Sequence, residues 1–322
     1  MIYSIIKYTL RLYFPLFFKK VYIEGLDNVP KNAAIIFVPN HQNTFVDATL
    51  VAYSLSKNIF YLVRSDIFVN AALNKLFTLF HLIPIYRKQD RSSNIVQKNR
   101  STFSHCFQLI KKQKPILIFP EGTSEAEYKL NFFKKGAARI ALKFLEEDNG
   151  KTPLYFVPVA INYENHHNSR SAVWIKYCNP IYVNQFMNEH STNPARCITK
   201  VTKLLQKELN PFVIQEIAHL NKKDIKHTLT AARLNKISQT STLISFVHHK
   251  KKIPIAKESK FSIGKLIYTI IKPLFFPTTY LVSLLIKKAN DSDFTLAFKC
   301  FGWLLFGSVQ IALILMIIGL NW

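Results

Sequence analysis

His41 and Asp47 are the residues of this 322-residue chain best suited to proton-transfer chemistry. They lie in Pro39-Asn40-His41-Gln42-Asn43-Thr44-Phe45-Val46-Asp47, between an apolar, strand-like run over 33–38 and a helix-like run over 48–55. A histidine and a carboxylate thus sit where a buried strand gives way to a helix. At that edge an α/β fold presents reactive groups to a cleft. Histidine serves as a general base near neutral pH, and a neighbouring carboxylate fixes its tautomer and stabilises the imidazolium. A helix-capping Asn or Asp beside a bystander histidine is the plain alternative, and the block alone leaves both open.

Three further stretches carry polar groups at the ends of apolar runs. Leu82-Ile83-Pro84-Ile85-Tyr86-Arg87 places an arginine where it can hold a phosphate bidentately. Ile116-Leu117-Ile118-Phe119 runs into Pro120-Glu121-Gly122-Thr123-Ser124-Glu125, where Gly122 lets backbone N–H groups come close to a ligand. Lys134 and Lys135 then open a helix-like segment. Lysine is disfavoured at a helix N-terminus, so the pair points to an anion to neutralise, or else to a solvated basic turn. The run over 156–163, with Val157-Pro158-Val159, reads as a buried strand with a structural role.

The elements that must position these groups alternate. Strands are expected over 33–38, 59–63, 82–86, 116–119, 155–161 and 173–177. Helices are expected over 48–55, 67–80, 94–111, 134–147 and 194–209, the last with Asn193 as N-cap and Pro194 at its first position. The fold class is therefore α/β, a sheet covered by helices. The expected organisation is an amphipathic membrane-interface helix over 1–20, a catalytic domain over 21–210, a basic helical segment over 211–260 and a membrane-embedded helical region over 261–322. In the first segment Ser4, Lys7 and Arg11 fall at helical spacing, which predicts a polar stripe turned toward lipid head groups. In the last, 300–320 is uncharged and long enough to span a bilayer, and 261–286 is a kinked span or an interfacial helix. The segment 211–260 holds ten Lys or Arg against three acids, and the whole chain carries a net charge of +24. That excess suits nucleic acid or an anionic membrane; the apolar flanks favour the membrane, and no nucleic-acid-binding motif is present. The basic stretch should face the cytoplasm. Four cysteines lie far apart without a Cys-x-x-Cys pair, which argues against disulfides or a zinc site and fits a reducing compartment. No metal is expected. With no A-x-A-like cleavage site after it, the apolar N-terminus is expected to be retained.

In order and spacing, the Asn-His…Asp block, the strand ending in Arg87, the Phe-Pro-Glu-Gly block, the Phe-Phe-Lys-Lys-Gly-Ala stretch and the Val-Pro-Val block together resemble the phospholipid/glycerol acyltransferase family, over about 22–183. Two departures stand out. Five residues separate His41 from Asp47 where the usual pattern has four, a form similar to the subgroup acylating glycerol 3-phosphate or dihydroxyacetone phosphate. Neither spacing puts the two side chains on one face of a regular helix, so the first turn must be irregular. Ser124 stands where many members have arginine. The resemblance implies a membrane-bound O-acyltransferase of phospholipid biosynthesis. By the same resemblance it would use acyl-CoA or acyl carrier protein as donor and glycerol 3-phosphate or 1-acylglycerol 3-phosphate as acceptor, with no further cofactor. His41 would be the base and Asp47 its orienter; Arg87, Glu121, Gly122, Thr123, Lys134 and Lys135 would hold the substrate. Another lysophospholipid or an aminolipid as acceptor remains open through Ser124, and an inactive lipid-binding scaffold is the reading from another class.

Overall fold

The computed structural model describes residues 2–68, 70–87, 94–216, 221–248, 276–289 and 295–319. Its centre is an eight-stranded sheet of β1 (Lys20–Glu24), β2 (Ala34–Pro39), β3 (Phe60–Arg64), β4 (Leu82–Ile85), β5 (Ile116–Ile118), β6 (Leu154–Tyr163), β7 (Ala172–Tyr177) and β8 (Ile181–Tyr182). The order is β1-β7-β6-β2-β5-β3-β4, with β8 pairing β6. Strands β6, β2, β5, β3 and β4 run parallel to one another, so their C-terminal ends share one edge. β7 and β8 run antiparallel to β6. Pro158 is tolerated inside β6 because it falls between the two antiparallel ladders. β8 pairs with 155–156 and β7 with 159–163, so the missing N–H leaves no bond unmade.

The helices are α1 (Ile2–Phe17), α2 (Thr44–Ser54), α3 (Ala71–Leu79), α4 (Ile95–Lys111), α5 (Gly136–Glu147), α6 (Met187–Thr192), α7 (Pro194–Leu209), α8 (Lys222–Leu234), α9 (Thr240–His248), α10 (Phe276–Ala289) and α11 (Thr295–Gly319). All six residues of β2 are buried, as a strand covered on both faces requires. Its alternate side chains divide the core. Ala34, Ile36 and Val38 pack with Cys106 and Ile110 of α4, Ala141 and Leu145 of α5 and Leu205 of α7. Ile35 and Phe37 pack with Phe14 of α1, Leu50 of α2 and Cys300 of α11. A third cluster joins Tyr22 and Trp174 to Ile225, Leu229, Leu243 and Val247 of α8 and α9. α7 has the expected bounds, and Asn193 accepts from the Arg196 amide. The short strands β1 and β8 and the helix α6 were not expected from sequence.

Of the polar stripe expected on α1, Lys7 turns inward, while Ser4 and Arg11 stay exposed. Lys7 is buried and donates to the carbonyls of Ser56 and Lys57 at 2.8 and 2.7 Å, and Arg11 reaches Leu55 O at 3.3 Å. These carbonyls follow the C-terminus of α2, where a helix leaves acceptors unpaired and favours cations. Burial pulls the Lys7 ammonium down to about 8, with the Arg11 charge adding to the effect. Tyr8, Leu12 and Leu16 are left on the outside.

The expected membrane-spanning helices are corrected as well. Among the described residues no helix is long and apolar enough to cross a membrane. The start of α11 packs on the domain instead. Leu296, Ala297 and Cys300 are buried beside α1 and α2, Tyr13 donates to Cys300 O, and Lys299 donates to His167 O. From the expected spans, 261–275 and 320 lie outside the described residues, as do 217–220 and 249–260 of the basic segment.

Candidate active site

β2 ends at Pro39, and the chain turns through Asn40, His41, Gln42 and Asn43 before α2 begins at Thr44. Asn40 fixes that exit. Its carboxamide is buried and pairs with both the N–H and the carbonyl of Ile161 on β6, at 2.7 and 3.0 Å. The turn then wraps round the Asp47 carboxylate. Oδ2 accepts from His41 Nδ1 at 2.9 Å, Gln42 N at 2.8 Å and Asn43 N at 2.7 Å. Oδ1 accepts from the Tyr163 hydroxyl at 2.5 Å. The helical first turn is thus irregular, as the five-residue spacing requires, and the extra residue is taken up by amides folding onto the carboxylate. Asp47 is wholly buried yet supplied with donors at both oxygens, which is how an ionised carboxylate is kept inside a protein.

With Nδ1–H donated to Asp47, the imidazole leaves Nε2 as its basic nitrogen. Phe119 stacks on the ring with centroids 3.7 Å apart and holds its plane. Phe119 belongs to the turn after β5, and Glu121 ties that turn to the histidine. One Glu121 oxygen accepts His41 N at 2.7 Å and the other accepts Asn131 N at 2.9 Å. Both oxygens of this buried carboxyl are therefore engaged by the protein's own amides, so Glu121 joins the turn after β2 to the segment at Asn131 and does not lie open to a ligand. Burial pushes its carboxyl up to about 7; the two amide bonds oppose that rise, and the Asp47 charge adds to it.

Gly122 has φ +72, and a Cβ there would lie 2.8 Å from Lys134 Nζ. The Lys134 ammonium accordingly covers this turn, held there by its backbone N–H donating to Pro120 O at 2.8 Å. Thr123 and Lys135 are exposed, Lys135 as the residue preceding α5. Arg87 stands two residues beyond β4, at 3.5 Å from Asp66. Arg64 at the end of β3 pairs with the same Asp66. At about 4.8 Å per strand, the ends of β3 and β4 stand roughly 10 and 14 Å along the sheet edge from the end of β2. The fold therefore gathers His41, Asp47, Glu121, Gly122 and Lys134 at one point. Arg64 and Arg87 form a second, cationic point on the same edge.

Sequence reasoning missed Tyr163, Gln42, His166 and Arg64. Tyr163 closes the apolar run of β6, whose C-terminal end lies on the same edge as that of β2; that position is the signal that could have found it. Burial, together with the adjacent Asp47, raises its phenol pKa, so it donates as a neutral hydroxyl. His166 Nε2 lies 3.1 Å from Gln42 Oε1, an acceptor, and therefore carries a proton. Burial lowers its pKa to about 3, with His167 and Lys222 adding to the shift, and the ring is neutral. Arg170 donates to the end of α1, through its side chain to Leu16 O at 3.2 Å and through its backbone N–H to Phe17 O at 2.7 Å.

Residues 20–162 match the Acyltransferase family model. The chain is 33% identical over 127 residues to the chloroplastic 1-acyl-sn-glycerol-3-phosphate acyltransferase LPAT1 of Arabidopsis thaliana, covering 39% of this chain and 33% of that one. It is 24% identical over 124 residues to the 1-acyl-sn-glycerol-3-phosphate acyltransferase of Borreliella burgdorferi, covering 38% and 47%. Among solved structures, the 1-acyl-sn-glycerophosphate acyltransferase PlsC of Thermotoga maritima aligns with a TM-score of 0.45 and 20% identity, over 64% of this chain and 78% of that one. The chain spans about a third of the length of the Arabidopsis relative.

Proposed function

We propose that this chain, whose residues 20–162 match the Acyltransferase family model, is an acyltransferase that moves a fatty acyl group from a thioester donor to the free hydroxyl of 1-acylglycerol 3-phosphate. The donor is acyl-CoA or acyl carrier protein, and the product is phosphatidic acid. The observation that carries this reading is the 2.9 Å His41–Asp47 bond on a sheet edge shared with Arg64 and Arg87. The acceptor follows the names of the matched relatives, in preference to the glycerol 3-phosphate that the five-residue spacing suggested.

In this mechanism His41 Nε2 takes the proton of the acceptor hydroxyl as its oxygen attacks the thioester carbon. Asp47 holds the ring and stabilises the imidazolium that forms. The tetrahedral intermediate collapses with cleavage of the C–S bond, and the departing sulfur takes the proton back from His41. A covalent acyl-cysteine route has no support from the thiols. All four are buried, and burial pushes Cys106 and Cys178 up to about 12. Arg87 and Arg64 would take the acceptor phosphate, with Lys134 adding positive potential between it and the base.

Membrane contact belongs to the same proposal. The outer face of α1 presents Tyr8, Leu12 and Leu16, and α10 presents Tyr280, Leu281 and Leu284. With a net charge of +24, such apolar faces suit interfacial docking on an anionic cytoplasmic leaflet. The test is transfer from acyl-CoA and acyl carrier protein to 1-acylglycerol 3-phosphate, with the same lysolipid lacking its phosphate as control. Arg87→Ala is expected to raise the acceptor KM about tenfold, the worth of one partly exposed charge-assisted contact, and to leave the donor KM alone. Equal use of the two acceptors by the unaltered protein would refute the assignment.

A further inference from the structure

The turn between His41 and Asp47 holds polar groups that the fold does not use. Asn43 is the residue preceding α2, a position where an asparagine side chain normally accepts from the first-turn amides. Here it makes no such bond. Its carboxamide is buried, with 1% of the residue exposed, and neither Nδ2 nor Oδ1 has a partner within the protein. The neighbouring Thr44 hydroxyl is buried and unpartnered as well. Thr44 also sits at φ 36, in the left-handed region that a β-branched residue avoids. The few other buried side-chain atoms without a partner among the described residues are scattered singly; only here do adjacent residues share the feature.

The wrapping of Asp47 explains how the protein sustains this. Its Oδ2 takes the amides of Gln42 and Asn43, so the turn is fixed by the carboxylate and Asn43 is released from capping. Strain and unpaired polar groups concentrated two and three residues from the base mark a site organised for a ligand. They stand at the N-terminus of an 11-residue helix, whose partial positive charge favours an anion.

We propose that Asn43 and Thr44 form the oxyanion site of acyl transfer. The Asn43 side-chain Nδ2–H and the Thr44 hydroxyl donate to the thioester carbonyl oxygen as the acceptor oxygen adds to its carbon. The carbonyl π pair becomes a lone pair on that oxygen, and it returns to re-form C=O as the C–S bond breaks. Donors left unpaired in the free protein are preorganised for a charge that develops only in the transition state. The inference rests on the acyl-transfer reading above.

The test compares Asn43→Ala and Thr44→Val with the unaltered full-length protein, reading kcat, both KM values and Tm. A pair of structural residues and a pair of oxyanion donors give opposite patterns. For the oxyanion site, Asn43→Ala lowers kcat about 10²–10³-fold and Thr44→Val about tenfold. Both KM values stay within about twofold, and Tm is unchanged or raised because no internal bond is lost. For a structural cap, Tm falls and kcat per folded molecule is kept; that result overturns the inference and leaves the acyltransferase reading standing. Failure of the unaltered protein to transfer to any acceptor overturns both.

Discussion

Asp47→Ala is expected to lose both activity and stability, and Asp47→Asn to lose activity alone. The alanine variant removes the acceptor for His41 Nδ1, two backbone amides and the Tyr163 hydroxyl, in a place closed to water. Stranding that many buried donors costs about 3–5 kcal/mol, a large part of the stability of an ordinary domain. Asparagine has nearly the same shape. Its carbonyl takes the Oδ2 position, where three N–H groups converge, and its NH2 faces Tyr163, whose hydroxyl turns from donor to acceptor. The network and the histidine tautomer survive, and only the charge that stabilises the imidazolium is gone. Urea denaturation should therefore place Asp47→Asn within about 1–2 kcal/mol of the parent, while kcat falls by about 10²–10³. A parallel loss of stability in both variants would show that Asp47 serves the fold through its charge.

Glu164→Ala is expected to be the most damaging change outside the site. Glu164 lies one residue past β6 and is buried. Its carboxylate accepts the Ala172 amide that opens β7, the Thr230 hydroxyl at 2.8 Å and Arg233 Nε at 3.0 Å, the last two from α8. One side chain thus joins the end of the central strand to the helical segment beyond the family-matched region. Truncation leaves a guanidinium that is only 13% exposed without its carboxylate, a loss of about 3–5 kcal/mol. Pairing Glu164→Leu with Arg233→Met should recover much of it, since an apolar pair can replace a buried ion pair when both partners go. Tm values for the single and double variants check this; equal destabilisation in both would mean that the ion pair is not what fastens α8.

These two residues mark the limit of what the sequence discloses. The strands around the site were legible because β2 and β5 are short, continuous apolar runs with polar ends. His41, Asp47 and Glu121 were legible because they sit at those ends. Their partners were not. Tyr163 meets Asp47 across 116 positions of chain, and Glu164 meets Arg233 across 69. Each belongs to an element whose local pattern says only strand or basic helix. The inward turn of Lys7 on α1 was hidden for a related reason. Periodicity placed Ser4, Lys7 and Arg11 on one face, but the burial of Lys7 alone depends on the carbonyls that the end of α2 offers, and those are fixed only by packing. β1 was missed because its five residues include an exposed lysine and a half-buried glutamate, and it becomes a strand by pairing with β7.

The proposed role of His41, oriented by Asp47, is that of the base in acyl transfer to a lysophosphatidate. Its most direct test is the rate of phosphatidic acid formation by His41→Ala and by the parent, at saturating donor and acceptor. Among the described residues the His41 side chain makes a single hydrogen bond, to Asp47, so the variant should keep its fold and unfold at a similar temperature. The predicted result is a fall in kcat of at least about 10³, with both KM values little changed. A folded His41→Ala protein transferring acyl groups within tenfold of the parent rate would contradict the account.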